Sequence, residues 1–402
     1  MRAVKLLVIL TVVAFVGGLL GWTQEEPIII GGVAPLSAPG AAESGTEMKI
    51  AMEMAVEEIN AAGGVLGKPL KLIVEDTRGL PEEGTAAMNR LADAGAVGVV
   101  GEFHSAVAKA EIEVANQRKL PFIISEAWAD VLTAKQYPYV FRIAPANSLF
   151  YTKVADWIKA IGSRNVVAIV ENTDWGLGVD AVLRAELIGK TNIHGEPISY
   201  TSIVAERTVT DFTPQLLRFK AMDPRPDLVM DIFTGTGEYL IVKQAAEIGL
   251  ATTRETAIFP VGTSALYPEF WETVGEYGVF AITKTGYHPL LGVTPAIKEF
   301  TAKFEARTGK EPTFAAMEAY DSVYVLVKAI EMAGSTDPDA IVAALEEIKY
   351  DGVLGTIYFS TEREPDYMFH QWPGAKAVVI QYTEVNQKPS EALLLWPAIL
   401  RP

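Results

Sequence analysis

A carboxylate, an imidazole and a hydroxyl, those of Glu102, His104 and Ser105, follow directly on an apolar pair in the segment VVGEFHSAVAKAE (Val99 to Glu111). Such side chains can form a base-activated nucleophile, or they can meet a small polar ligand. The first role needs the three groups in line, and neighbours on one strand-to-helix turn point in different directions. The second needs only that the turn open onto a crevice. Ser105 is placed to cap the helix that follows, its oxygen accepting an amide hydrogen from the first turn. The same free amides and the helix dipole would attract a ligand carboxylate. Both readings, a cap alone or a cap that also meets a ligand, stay open on these residues.

The pattern recurs along the chain. IISEAWADV delivers Ser125, Glu126, Ala127 and Trp128 straight after Phe122 to Ile124. Further on, ENTDWGLG brings Trp175 after VVAIV, DIFTGTGEY brings Phe233 and Thr234, and FPVGTSALY brings Thr263 and Ser264. Aromatic rings with a few placed hydroxyls describe a small-molecule pocket, to which Phe103, beside His104, also belongs. Signatures of catalysis are missing. GTGEYL lacks the last glycine of a dinucleotide fingerprint, and no G-x-S-x-G elbow, P-loop or H-E-x-x-H occurs. Four histidines form no recognisable metal set. We therefore expect no catalytic residue, no metal and no cofactor: a binding protein, not an enzyme.

These polar sets need strands to carry them. Pro27–Ala34, Leu70–Glu75, Val97–Gly101 and Phe122–Ser125 read as strands, with helices over Thr46–Ala62, Glu82–Ala94 and Ala106–Arg118. Continuous Val and Ile runs separated by helices imply a parallel sheet covered on both faces. The rhythm restarts with strands at Val166–Val170, Pro197–Val204, Asp227–Phe233 and Ala257–Val261. Two successive series predict an α/β fold of two doubly wound parallel-sheet lobes, and ligands in such sheets sit at the carboxyl ends of strands. Tyr137–Pro145 and Gly278–Pro289 are extended, Pro-bounded pieces suited to crossing between lobes, and the irregular Thr361–Gly374 suits a third crossing.

The chain has 402 residues, ample for two domains, and a formal charge of -16. Its first 22 positions, basic at Arg2 and Lys5 and then apolar to Trp22, predict an export signal or a retained N-terminal anchor over 1–26. No A-x-A site follows, and the chain has no cysteine for a lipid anchor. Either way the remainder lies outside the cytoplasm. Without Arg2 and Lys5 the charge becomes -18, which disfavours nucleic acid and anionic membranes as partners.

The segments IIIGGVAPLSAPGA, GTEMKIAMEMAVEEINAAGGVLGKPLKLIVEDTRG and VVGEFHSAVAKAEIEVANQRKLPFIISEAWADVLTAKQYPYVFRIAP resemble the N-terminal lobe of periplasmic binding proteins of the branched-chain amino acid type. The resemblance implies two Rossmann-like lobes joined by three hinge crossovers. It sets 27–144 and 280–360 in lobe one, and 145–279 and 361–402 in lobe two. It implies capture of a small organic solute, an amino acid or a related carboxylate or amine, in the cleft and delivery to the permease and ATPase subunits of an ATP-driven membrane transporter. A ligand-sensing ectodomain of the same fold is the alternative. Ser105 matches the family serine that holds the ligand carboxylate, and Trp175 the tyrosine that lines the cleft from the second lobe. Phe233 and Thr234 fall near another cleft aromatic. Trp128 departs from a family threonine, and Thr263 and Ser264 stand where amino-acid-binding members carry a glutamate for the ligand ammonium. An α-amino acid would then need Glu102 or Glu126, unless these are solvated or paired with Lys109. With His104, Trp128 and Trp175 they would suit a cationic or aromatic ligand.

Overall fold

A computed structural model describes residues 26–292 and 294–397; the leader expected at 1–26 lies outside them, apart from its last position. Strands β1 (Ile28–Ala34), β2 (Leu70–Asp76), β3 (Val99–Gly101), β4 (Phe122–Ile124) and β5 (Val140–Arg142) form a parallel sheet in the order β2-β1-β3-β4-β5. Helices α1 (Ala42–Ala61), α2 (Pro81–Asp93), α3 (Ser105–Arg118) and the short α4 (Val131–Ala134) connect them. The strand cores are apolar on both faces because helices cover both.

Helix α5 (Asn147–Ala160) then leads into a second parallel sheet, β7-β6-β8-β9. Its strands are β6 (Asn165–Glu171), β7 (Ser199–Ala205), β8 (Leu228–Ile232) and β9 (Ala257–Pro260), with helices α6 (Asp174–Leu187), α7 (Thr213–Lys220), α8 (Thr236–Glu247) and α9 (Pro268–Val274). In each sheet the chain order reverses beside its first strand, between β1 and β3 and between β6 and β8. Connections there leave in opposite directions and open a crevice at the strand ends. The polar sets foreseen after β3, β6 and β8 therefore stand at the two switch points.

After the second sheet, β10 (Ile282–Thr285) pairs antiparallel with β13 (Val378–Gln381), which pairs with β14 (Leu393–Trp396). Between them α10 (Pro295–Thr308), α11 (Phe314–Ala333) and α12 (Pro338–Glu347) return to lobe one, followed by the hairpin β11 (Tyr350–Asp351) and β12 (Thr356–Ile357). Phe300, Phe304, Val323 and Leu326 join Met48, Met52 and Ala55 of α1 in one core.

The outer boundaries of the lobes differ from those expected. Ile282, set with lobe one, pairs with Gln381 and is buried in the lobe-two core. Residues 366–372, set with lobe two, pack on lobe one: the Tyr367 carbonyl accepts from Thr133 Oγ1, and Trp372 is buried in the α1/α11 core. For the third crossing the reason is Arg142. It is fully buried and donates to the Ala129 carbonyl at 2.6 Å, to Thr133 Oγ1 at 2.8 Å and to Gln371 Oε1 at 2.5 Å, tying the third crossing to the end of β5.

Candidate functional site

The turn after β3 is built for close approach. Gly101 has φ +128°, and a Cβ there would lie 2.1 Å from the Val33 carbonyl oxygen, so the strand can end beside β1 only as glycine. Glu102, also left-handed at φ 62°, folds its carboxylate back to accept the His104 amide at 2.8 Å. Burial pushes the Glu102 carboxyl up to about 7. It is thus a turn former, not a solvated acid. His104 accepts the Ala41 amide on Nε2 at 3.0 Å, and burial pushes its pKa down to about 3. The imidazole is neutral with its tautomer fixed, and it packs edge-on to Phe103 at 5.1 Å between centroids.

Ser105 does not cap α3, because the helix begins at Ser105 itself, with His104 at the cap position and no side-chain cap. Its Oγ instead accepts the amides of Trp128 and Ala129, each at 3.1 Å. A serine hydroxyl has two acceptor sites and one donor. With both acceptor sites filled, the O–H remains as a donor. The amides of Ser105 and Ala106, at the open end of α3, likewise meet no acceptor among the described residues.

The loop held by Ser105 positions Trp128. Its indole lies against Phe150, Phe314 and Tyr151, with centroids 4.9, 5.7 and 6.1 Å away. Glu126 is buried facing Glu318 of α11, and burial pushes both carboxyls up. Neither Glu102 nor Glu126 pairs with Lys109, which reaches across the cleft to Asp174 Oδ1 at 2.8 Å.

From lobe two, β6 ends in Glu171, whose Oε2 accepts both Thr234 N at 3.0 Å and Thr234 Oγ1 at 2.7 Å. Thr173 caps α6 by accepting the Gly176 amide at 3.2 Å, which sets Trp175 in the first turn. Gly262 on the floor fits only as glycine: a Cβ there would lie 2.3 Å from Glu238 Oε2 and from the Phe233 carbonyl oxygen.

Together these walls flank a cleft whose empty space, including the part open to solvent, is about 480 Å³. Phe103, His104, Ser105, Glu126, Trp128, Trp175, Thr234 and Thr263 line it. Three expected residues do not. Ala127 is fully buried in the lobe-one core, and Phe233 is fully buried against Phe212 at 5.0 Å, because each is the position of its strand end that turns inward. Ser264 faces an adjoining mouth; its Oγ accepts the Gly235 amide at 2.8 Å and its amide donates to Glu238 at 3.0 Å.

The sequence reading missed Ala106, Glu171, Thr173, Arg207, Val261, Gly262 and Lys284, all of which line the cleft. Glu171 and Thr173 flank the segment already singled out and were within reach of the same argument. Arg207 follows β7, a strand end passed over. Lys284 lies in an extended crossing with no local signal of burial. Among the described residues, no cluster of three or more His, Asp or Glu side chains could hold a metal ion, and no helix is long and apolar enough to cross a membrane.

Two doubly wound lobes closing on a shared cleft define a solute-binding protein of the two-lobed kind. The periplasmic binding protein family matches residues 27–377, and the chain belongs to that family. It is 27% identical to Leu/Ile/Val-binding protein homolog 3 of Brucella melitensis, over 88% of this chain and 94% of that protein. It is 25% identical to an amino acid binding protein of Pseudomonas aeruginosa, over 86% of this chain and 90% of the relative. The fold is shared with the leucine binding protein LivK of Thermotoga maritima: TM-score 0.77, 23% identity, 92% of this chain and 97% of that one. It is also shared with a Rhodopseudomonas palustris solute binding protein solved with 3,4-dihydroxybenzoic acid: TM-score 0.75, 20% identity, 92% and 95% coverage. Both family and relatives are binding proteins rather than enzymes.

Proposed function

We propose that this chain captures a small organic acid, an amino acid or a related carboxylate, between its lobes and delivers it to the permease and ATPase subunits of an ATP-driven transporter. It works in the periplasm or at the outer face of the membrane, held there by its leader if that segment is retained. The observation that carries the reading is Ser105. Its filled acceptor sites leave a hydroxyl donor beside two unclaimed amides at the start of α3, a set of donors suited to one carboxylate. Trp128 and Trp175 supply apolar walls from opposite lobes. The relatives' names, and a neighbour solved with an aromatic acid, support the same chemistry.

Closure follows from the geometry. Lys109–Asp174, Arg207 with the Pro39 carbonyl at 2.7 Å, and Tyr239 with Glu43 at 3.1 Å join the two lobes across the cleft rim. A solute touching both walls adds binding energy only when the lobes meet, so it shifts the population toward the closed form that a permease can distinguish. The test is a calorimetric screen of amino acids, aliphatic and aromatic acids, amides and amines against the purified chain. One-to-one binding of a member that is weakened by both Ser105→Ala and Trp175→Ala is expected. Binding unchanged in both variants would sink the placement of the cleft.

A further inference from the structure

Lys284 lies on β10, in the second crossing, and is 2% exposed while lining the cleft. Its ammonium stands 3.9 Å from the Trp128 ring centroid, 4.4 Å from Phe314 and 5.6 Å from Phe150. Ring faces stabilise a cation, but they leave its N–H donors without the lone pairs an ammonium seeks. Among the described residues Lys284 forms no hydrogen bond and no ion pair. Burial pulls its pKa down to about 8, with Glu126, Glu238 and Glu318 holding it up from a distance.

The acids around the cleft are poor counter-ions for a second cation. Glu126 and Glu318 face each other, and burial pushes both carboxyls up toward the neutral form, although one oxygen of each meets no hydrogen-bond partner. Glu171 accepts twice from Thr234, and Glu238 accepts from the Ser264 amide. Arg207 brings a second cation to the wall from lobe two. An incoming ammonium therefore meets carboxyls that burial disfavours as anions, whereas an incoming anion finds an ammonium with unclaimed donors.

We propose that Lys284 joins the Ser105 hydroxyl and the α3 amides in holding the solute, as the counter-charge of its carboxylate, and that the solutes are small organic acids recognised through that carboxylate with no contribution from an α-amino group. This rests on the cleft reading above and names the substrate class of that site.

The test uses the full chain and two sets of probes that share a skeleton: 4-methylpentanoate, its amide, leucine and 3-methylbutylamine; and 3-phenylpropanoate, its amide, phenylalanine and 2-phenylethylamine. We expect an acid to bind, its isosteric amide to bind at least about 30-fold more weakly, the amine not to bind, and the amino acid to bind no tighter than the plain acid. Lys284→Met lowers the affinity for that acid by about 30-fold or more, and Lys284→Arg restores most of it. Should Lys284→Met fail to fold, the acid-to-amide ratio in the unaltered protein carries the test alone. An amide or amine within about threefold of the acid, an amino acid favoured by more than about tenfold, or a panel in which no acid binds overturns the proposal. If Trp175→Ala abolishes binding while Lys284→Met leaves it intact, the cleft stands and Lys284 falls. If both variants bind unchanged, the cleft itself is misplaced and the role of Lys284 falls with it.

Discussion

Ser105→Ala separates the role seen here from an ordinary helix cap. The Ser105 hydroxyl accepts two amides, those of Trp128 and Ala129, in residues that are 4% and 3% exposed. A buried donor left without an acceptor costs about 1–3 kcal/mol. Because both amides share one oxygen and the loop can relax, we expect about 2–4 kcal/mol of lost stability. Removing a cap costs about 1 kcal/mol and leaves the neighbouring loop alone. The assay is urea unfolding followed by tryptophan fluorescence, with near-ultraviolet circular dichroism to report Trp128 in its aromatic surroundings. A fall in the midpoint together with a changed near-ultraviolet signal is expected. A loss under about 1 kcal/mol with an unaltered aromatic signal would refute the claim that this hydroxyl holds the Trp128 loop.

Three further outcomes follow from the same contacts. Lys109→Ala removes an exposed pair that forms only when the lobes meet; such pairs contribute about 0–1 kcal/mol, so solute release should speed up by no more than about fivefold at low salt and the effect should fade at high salt, as read by stopped-flow fluorescence. Burial holds the Glu47 carboxyl up at about 7, although it accepts from Thr313 and from the lobe-two Tyr267 at 2.8 Å. A folded pKa above the unfolded one means stability present at low pH and lost as pH rises through 7, so between pH 5.5 and 8 the protein should lose about 2 kcal/mol relative to Glu47→Gln in paired urea melts; equal slopes would contradict this. Gly262→Ala puts a Cβ 2.3 Å from the Phe233 carbonyl oxygen and should lower both the melting temperature and solute affinity, and an unperturbed variant would mean the floor of the cleft is looser than it stands here.

The strand series was legible because buried parallel strands are written as runs of Val and Ile between helices, as in VVAIV and LVMDI. That also located the switch points and hence Ser105, Trp128 and Trp175. Helix α5 is written in the sequence too, with Phe150, Val154, Trp157 and Ile158 at helical spacing, but it follows the Pro-bounded crossing without a side-chain cap to mark its start. The charged half of the site was not legible. Lys284 in AITKTGY reads as an exposed lysine; it is buried only because Trp128, Phe150 and Phe314 converge on it from far along the chain. Glu126 finds Glu318 in the same way, across lobe one. The sequence makes Ser105 a cap for α3; only the fold shows that the amides it serves belong to the next strand end.

The most direct measurement is native mass spectrometry of the unaltered chain and Trp175→Ala, each first stripped of solute and then incubated with the same panel of small organic acids. We expect one acid bound per chain in the unaltered protein and none retained by Trp175→Ala. An unaltered protein that takes up no acid, or a variant that keeps the same solute equally well, would contradict capture in this cleft.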